Sequence, residues 1–260
     1  MKHLLVSEAD QVCTVTLNRP ERHNAFHPEM IKELTDLFLQ LEQRQDLRVV
    51  ILNGAGKSFS AGGDLEWMKS MVQFTLEENQ QDAERLFAMF QAMAECSLPV
   101  IGSVHGNVMG GGLGLIAVCD AVVAETETKF SFSEARIGIA PAVICPWVLR
   151  KAAQGLVREV MLSARVFSAV EAKQFALVHS VGSLEQNKEY LKQTVHHFKQ
   201  CAPKAVREAK KLMNFAVSQP WPQMRSRATS LIAELRVGAE GQEGLQAFLT
   251  KRDPSWKSPT

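Results

Sequence analysis

Two glycine-rich stretches, SFSAGGDLEWM (Ser58–Met68) and MGGGLGLIAVCD (Met109–Asp120), each lead into a run of helical or apolar character. Glycine lets a backbone or a ligand approach closely, and the first N–H groups of a helix carry partial positive charge. One amide from each stretch can flank a single oxygen and hold it as negative charge develops, which is an oxyanion hole. Such a site still needs a base. The segment KFSFSEARIGIAPA supplies Glu134, just after a short strand-like run and before a turn containing Gly138 and Pro141. Each residue also has a plainer reading: Asp64 as the N-cap of a helix, Glu134 as a solvated surface carboxylate.

Other chemistry is excluded by spacing. GAGKS (Gly54–Ser58) resembles the end of a phosphate-binding loop, but that motif needs a glycine where this chain has Ile51. The glycines at 110, 111, 112 and 114 fail the dinucleotide pattern, whose last position falls on Leu115. Among seven histidines, His105 and His179 border strands and read as packed or surface residues. The adjacent His196 and His197 point apart on a helix and make a poor metal pair. Five dispersed cysteines without a CxxC pair argue against a disulfide framework or a zinc site and fit a reducing compartment. With 29 Lys and Arg against 28 Asp and Glu, overall charge gives no case for nucleic acid or an anionic membrane. The N-terminal MKHLLVSEAD meets charge before a secretory core could form, and no apolar run reaches the ~18 residues of a membrane span. A cytoplasmic location is the expectation.

The elements that must position these residues follow from periodicity. Alternating runs at His3–Val6 and Val12–Leu17 predict strands, followed by the turn-rich NRPERHNAFHPE. Apolar residues Met30, Ile31, Leu34, Leu37, Phe38 and Leu41 define one face of a helix that Pro28 can start. Val49–Gly54 reads as a strand buried on both sides. A long helix around Leu76–Glu95, a strand at Val100–Val104, the glycine-led helix and a strand at Ala121–Ala124 come next. This alternation indicates α/β crossovers. Beyond about Val181 only helical periodicity is found. The expected organisation is therefore an α/β core over residues 1–182 and a helical C-terminal region over 183–260.

Five segments in this order, VTLNRPERHNAF, FSAGGDL, PVIGSVHGNVMGGGLGLIAVCDAVVA, FSFSEARIGIAP and LQAFLTKRDPSW, resemble the enoyl-CoA hydratase/isomerase, or crotonase, family. The resemblance implies a spiral of ββα units with a helical C-terminal region that makes homotrimers, often paired into hexamers. It implies an acyl-CoA thioester substrate whose carbonyl sits between the N–H groups of Gly63 and Gly111, beside Glu134. Coenzyme A is then part of the substrate, with no separate cofactor and no metal. By the same resemblance the CoA portion runs along Arg22, His23, Ala25, Ser60, Ala61 and Gly62. Phe248 and Lys251 match a pair that approaches the adenine end from a neighbouring subunit.

One position departs from the family pattern. Well-known hydratases carry two glutamates, and where the earlier one falls this chain has Gly114. Glycine has no group for acid or base work. One glutamate suffices to move a proton between carbons, as a 3-enoyl to 2-enoyl-CoA isomerase requires. SEARIGIAPAVICPWVLRK in turn resembles a bacterial subgroup associated with methylglutaconyl-CoA hydration, in which glycine also stands at the first site. Hydration of a 2-enoyl-CoA is the favoured expectation, with the isomerase and a non-catalytic acyl-CoA binder as alternatives. A substrate with a distal carboxylate calls for a cation, for which Arg136, Arg150 and Lys151 are candidates.

Overall fold

The computed structural model describes residues 1–257; the final three residues of the expected C-terminal region lie outside it. Its main sheet has six strands in the order β1 (Leu4–Ala9), β2 (Val12–Leu17), β3 (Val49–Gly54), β4 (Val100–Val104), β6 (Ala121–Glu125) and β9 (Ser180–Gly182). Only β1 and β2 pair antiparallel; the other pairs are parallel. The parallel strands are joined by helices, including α1 (Pro28–Gln43) and α3 (Leu76–Glu95), which pack on each other. All six predicted apolar positions of α1 are buried.

β1 starts one residue later than expected and runs three residues further. All of it after Leu4, from Leu5 to Ala9, is exposed because this is the edge strand, so burial leaves no alternating signature there. Asp10 and Gln11, with φ of 49° and 65°, make the tight turn into β2.

A second sheet of three short strands, β5 (Asn107–Met109), β7 (Lys129–Ser131) and β8 (Phe167–Ser168), lies beside the first. Phe130 and Phe167 stack across it with ring centroids 5.5 Å apart. β5 delivers the chain directly into α4 (Gly111–Ala117), which is buried from Gly112 onward. The short helices α2 (Leu65–Met71), α5 (Cys145–Lys151), α6 (Gln154–Ser163) and α7 (Ala169–Gln174) complete this part of the chain.

After β9 the described residues form only helices: α8 (Leu184–Gln200), α9 (Pro203–Ala216), α10 (Trp221–Val237) and α11 (Ala239–Leu249). None of the described helices is long and apolar enough to cross a membrane.

Helix α9 is fastened to the sheet by charge rather than by apolar contact. Arg207, 8% exposed, donates to Ser97 Oγ and to the carbonyls of Arg44 and Leu47. Lys210, 5% exposed, donates to the Leu98 carbonyl and pairs with Asp120 at 2.6 Å. Removing one partner of a wholly buried pair costs about 3–5 kcal/mol. Asp120 keeps partial access to water and a second bond from the Val100 N–H. Lys210→Ala is therefore expected to cost about 2–3 kcal/mol, read as a lower urea midpoint at unchanged slope.

Candidate active site

The two glycine-rich stretches run side by side. Ser60 and Val108 form a parallel bridge, with the Ser60 N–H donating to the Asn107 carbonyl at 3.1 Å and the Met109 N–H to the Ser60 carbonyl at 2.9 Å. Gly62 lies against Met109 and Gly110, so Gly63 and Gly111 each stand one residue beyond this contact. The contact is close enough to demand glycine. A Cβ on Gly62 would lie 3.0 Å from the Met109 carbonyl oxygen, and one on Gly112 3.0 Å from that of Ser60.

Phe26 orients both amides. Its N–H donates to the Gly62 carbonyl at 2.6 Å, and its carbonyl accepts from the Asp64 N–H at 2.9 Å. In a parallel bridge the residue between those two groups turns its own N–H to the opposite side, so Gly63 N–H faces away from Phe26. The Phe26 ring covers the Cα of Gly111 so closely that no Cβ fits there. Gly111 opens α4, where an N–H has no intrahelical acceptor. Neither the Gly63 nor the Gly111 N–H has a hydrogen-bond partner among the described residues.

A buried ion pair fixes this arrangement. Arg19 Nη2 meets Asp64 Oδ2 at 2.7 Å, with side chains 11% and 4% exposed, while Arg19 Nη1 donates to the Ala25 carbonyl at 2.7 Å. The other carboxylate oxygen of Asp64 caps α2, accepting from the N–H groups of Glu66 and Trp67. Arg19 holds its carboxyl below the usual aspartate range despite burial. Asp64 is thus the N-cap its sequence position suggests, and also an anchor. Asn24, fully buried, donates to the carbonyls of Ala55 and Ser58, so the phosphate-loop look-alike serves to hold the Asn24–Phe26 turn. Arg19 and Phe26 escape motif reading, although a buried arginine before proline and an aromatic ending NAF carry most of the geometry.

Glu134 begins a 3-10 turn after β7, closed by Gly138 at φ 81°. The Gly110 N–H donates to the Ser131 carbonyl at 3.0 Å, which draws this turn against the glycine stretch. Gly110 adopts φ 48° and ψ −118°, a glycine conformation, and a Cβ there would sit 3.2 Å from Glu134 Oε1. The carboxylate therefore lies beside the residue preceding the Gly111 amide. Its Oε2 is buried without a partner, and burial raises its pKa above the ordinary 4.5. The solvated-carboxylate reading does not hold.

The remaining expected residues fall into three groups. Arg22, His23 and Ala61 are exposed around the turn beside the hole, with His23 Nδ1 3.1 Å from Ser58 Oγ. Ala25, Ser60 and Gly62 are buried. The Ser60 hydroxyl donates to the Asn24 carbonyl and accepts from the Gly62 N–H, so its side chain shapes the loop and any ligand contact comes from main chain. Phe248 and Lys251 are exposed at the far end of α11.

Gly114 is sealed. A Cβ there would lie 2.6 Å from both Phe90 Cζ and Ile144 Cγ2, so a second carboxylate enters only if both side chains shift. Of the three expected cations, Lys151 is engaged by the Cys119 carbonyl at the end of α4. Arg136 is exposed, and the guanidinium of Arg150, also exposed, lies 5.8 Å from the Trp147 ring centroid. A surface hollow of about 430 Å³ between β1 and α1 shares no residue with this cleft.

A family model described as enoyl-CoA hydratase/isomerase matches residues 7–259. The 2,3-dehydroadipyl-CoA hydratase of Escherichia coli is 28% identical, covering 99% of each chain. Among solved structures, Pseudomonas aeruginosa AtuE superposes with a TM-score of 0.95 at 30% identity, over 98% of this chain and 100% of its own. An enoyl-CoA hydratase from Shewanella pealeana gives 0.92 at 30% identity, over 98% and 96%.

The electrostatics of Glu134 give a stability test. A carboxyl whose folded pKa is raised stays protonated in the fold while the unfolded chain ionises, so stability falls as pH rises from about 4.5 through the folded value. Glu134→Gln removes that penalty. Its melting temperature is expected to exceed the parent's at pH 8. At pH 4, measured by calorimetry, the two should coincide.

Proposed function

Since the chain belongs to the enoyl-CoA hydratase/isomerase family, we propose that it hydrates a 2-enoyl-CoA thioester at the Gly63–Gly111–Glu134 cleft. The observation that carries this reading is the pairing of two unengaged amides with a desolvated, unpartnered carboxylate. The amides lack an acceptor and Oε2 of the carboxylate lacks a donor. An enoyl thioester with its attacking water supplies both.

The thioester oxygen accepts from both N–H groups. Ionised Glu134 takes a proton from water as the water oxygen bonds to the β-carbon. The electron pair of the double bond moves onto the thioester oxygen, forming an enolate that the amides stabilise. Glu134 then returns its proton to the α-carbon, and one water has been added overall. A raised carboxyl pKa suits a group that must both take and give a proton near neutral pH. Each amide donor is worth about 2.7–4 kcal/mol to such a transition state. The reaction uses no cofactor beyond the CoA of its substrate.

Isomerisation of a 3-enoyl-CoA is the second reading, favoured by the sealed position at Gly114. It needs only one carboxylate, which takes a proton from the α-carbon and returns it to the γ-carbon. Within the hydratase reading, a 3-methylglutaconyl-type substrate would place its distal carboxylate toward Arg136 or Arg150, since Lys151 is occupied. CoA runs past Arg22, His23, Ala25 and the main chain of residues 60–62. Exposed Trp221, Val237, Phe248 and Leu249 on the C-terminal helices support a homotrimer or hexamer that brings Phe248 and Lys251 to a neighbour's CoA.

Glu134→Gln is expected to lower turnover by at least about a hundredfold, the lower range for general acid–base catalysis, while CoA-ester affinity stays within a few fold. It should also stop deuterium exchange at the substrate α-carbon; a parent protein that binds the ester without any such exchange would be an idle binder. Mass analysis of products from crotonyl-CoA, 3-methylglutaconyl-CoA and a 3-enoyl-CoA separates the two reactions, because hydration adds the mass of one water and isomerisation adds none. On native sizing the protein should elute well above its 28.8 kDa chain mass, and a monomer would remove the inter-subunit role of Phe248 and Lys251.

A further inference from the structure

Outside the cleft, His3, His27 and Glu29 converge where β1 meets the first turn of α1, and their ligand atoms all lie within 4.8 Å of one another. We propose that these three residues bind a divalent transition metal, with zinc the best match, as a staple between the edge strand and α1. Two imidazole nitrogens and one carboxylate oxygen, with a fourth position left to water, are a donor set that zinc accepts.

The site is built rather than casual. The His3 N–H donates to Glu33 Oε2 at 3.0 Å, and its carbonyl accepts from the Asn18 N–H at 2.8 Å, so its backbone is held on both sides. His27 is the N-cap of α1, and Glu29 stands two residues into that helix's first turn. The two rings are 5.6 Å apart between centroids, and His3 Nε2 lies 3.0 Å from Glu29 Oε2. Tetrahedral zinc with bonds of about 2.0–2.2 Å holds its ligand atoms roughly 3.3 Å apart, close to that separation.

In the metal-free chain His27 Nδ1 accepts from the Glu29 N–H at 3.3 Å, and a metal bound at that nitrogen takes the place of this bond. The charges facing the rings are Arg19, itself paired with Asp64, and Lys2, which sits 3.3 Å from Glu29 Oε2. Lys2 is 75% exposed and free to swing into water when a metal takes its place. The side chain of His3 is 10% exposed and that of Glu29 57%, so the fourth position opens to solvent. No sequence motif announces the site, because its ligands come from opposite ends of a hairpin and the following turn.

The test titrates Co²⁺ into the metal-free full-length protein and reads visible absorption, then displaces it with Zn²⁺ and records the melting temperature. The expected result is one equivalent of Co²⁺ with the intense bands of four-coordination, and a higher melting temperature with Zn²⁺. His3→Ala and Glu29→Gln should each weaken Co²⁺ binding by about tenfold or more, whereas Lys2→Ala should tighten it. A His196→Ala/His197→Ala double variant should bind as the parent does. Exposed Glu29 provides a variant that keeps the fold if His3→Ala does not, checked by its metal-free melting temperature. Absence of four-coordinate bands at millimolar Co²⁺, or affinity unchanged in Glu29→Gln, overturns the proposal.

Discussion

The site depends on how one residue's backbone is paired. Because Phe26 takes the Gly62 carbonyl and the Asp64 N–H on one side of the loop, the Gly63 N–H has only the other side to face. The same residue's ring rests on Gly111, so the two donors are set by a single packed side chain and its own peptide groups. Arg19 and Asp64 then lock that turn from beneath. Preorganised donors are effective because they do not reorient when charge develops, and here the reorganisation has been completed during folding.

The cleft holds unsatisfied groups of opposite kind that do not satisfy each other. Two N–H donors lie in one pair of loops, while an acceptor oxygen lies in the turn after β7. Buried polar groups without partners are uncommon in folded chains, and each costs about 1–3 kcal/mol. Rigid neighbours keep them apart. The parallel register holds the donors, and the Gly110 N–H bond to Ser131 together with the turn closed by Gly138 holds the acceptor. The fold tolerates this arrangement because the core beneath it is densely aromatic, with Phe26, Phe59, Phe90, Phe130, Phe132 and Phe167 all fully buried.

Much of this was legible in the residues. Periodicity placed α1, β2, β3 and β4, since each has a strongly apolar face or run, and helical periodicity placed the stretch after β9 although its helices bury few apolar residues. The glycine stretches announced close backbone approach, and that is what their carbonyl contacts show. The edge strand β1 was less readable because its side chains from Leu5 onward are exposed whether apolar or polar, so no alternation marks its extent. Which amides stay open was not legible from spacing, because it follows from a bridge between residues 26 and 63 that no local pattern encodes. The desolvation of Glu134 likewise arises from contact with Gly110, 24 positions away in the chain. The plugging of position 114 by Phe90 and Ile144, from two other helical segments, is equally non-local.

That plug bears on how this scaffold can change its reaction. Recruiting a second acid at position 114 would be useless until both Phe90 and Ile144 had been trimmed, and trimming them first would leave a void in the core with no acid to fill it. A change at any one of the three positions therefore acts through the other two. A second carboxylate on this scaffold thus calls for concerted change at all three positions rather than for one substitution.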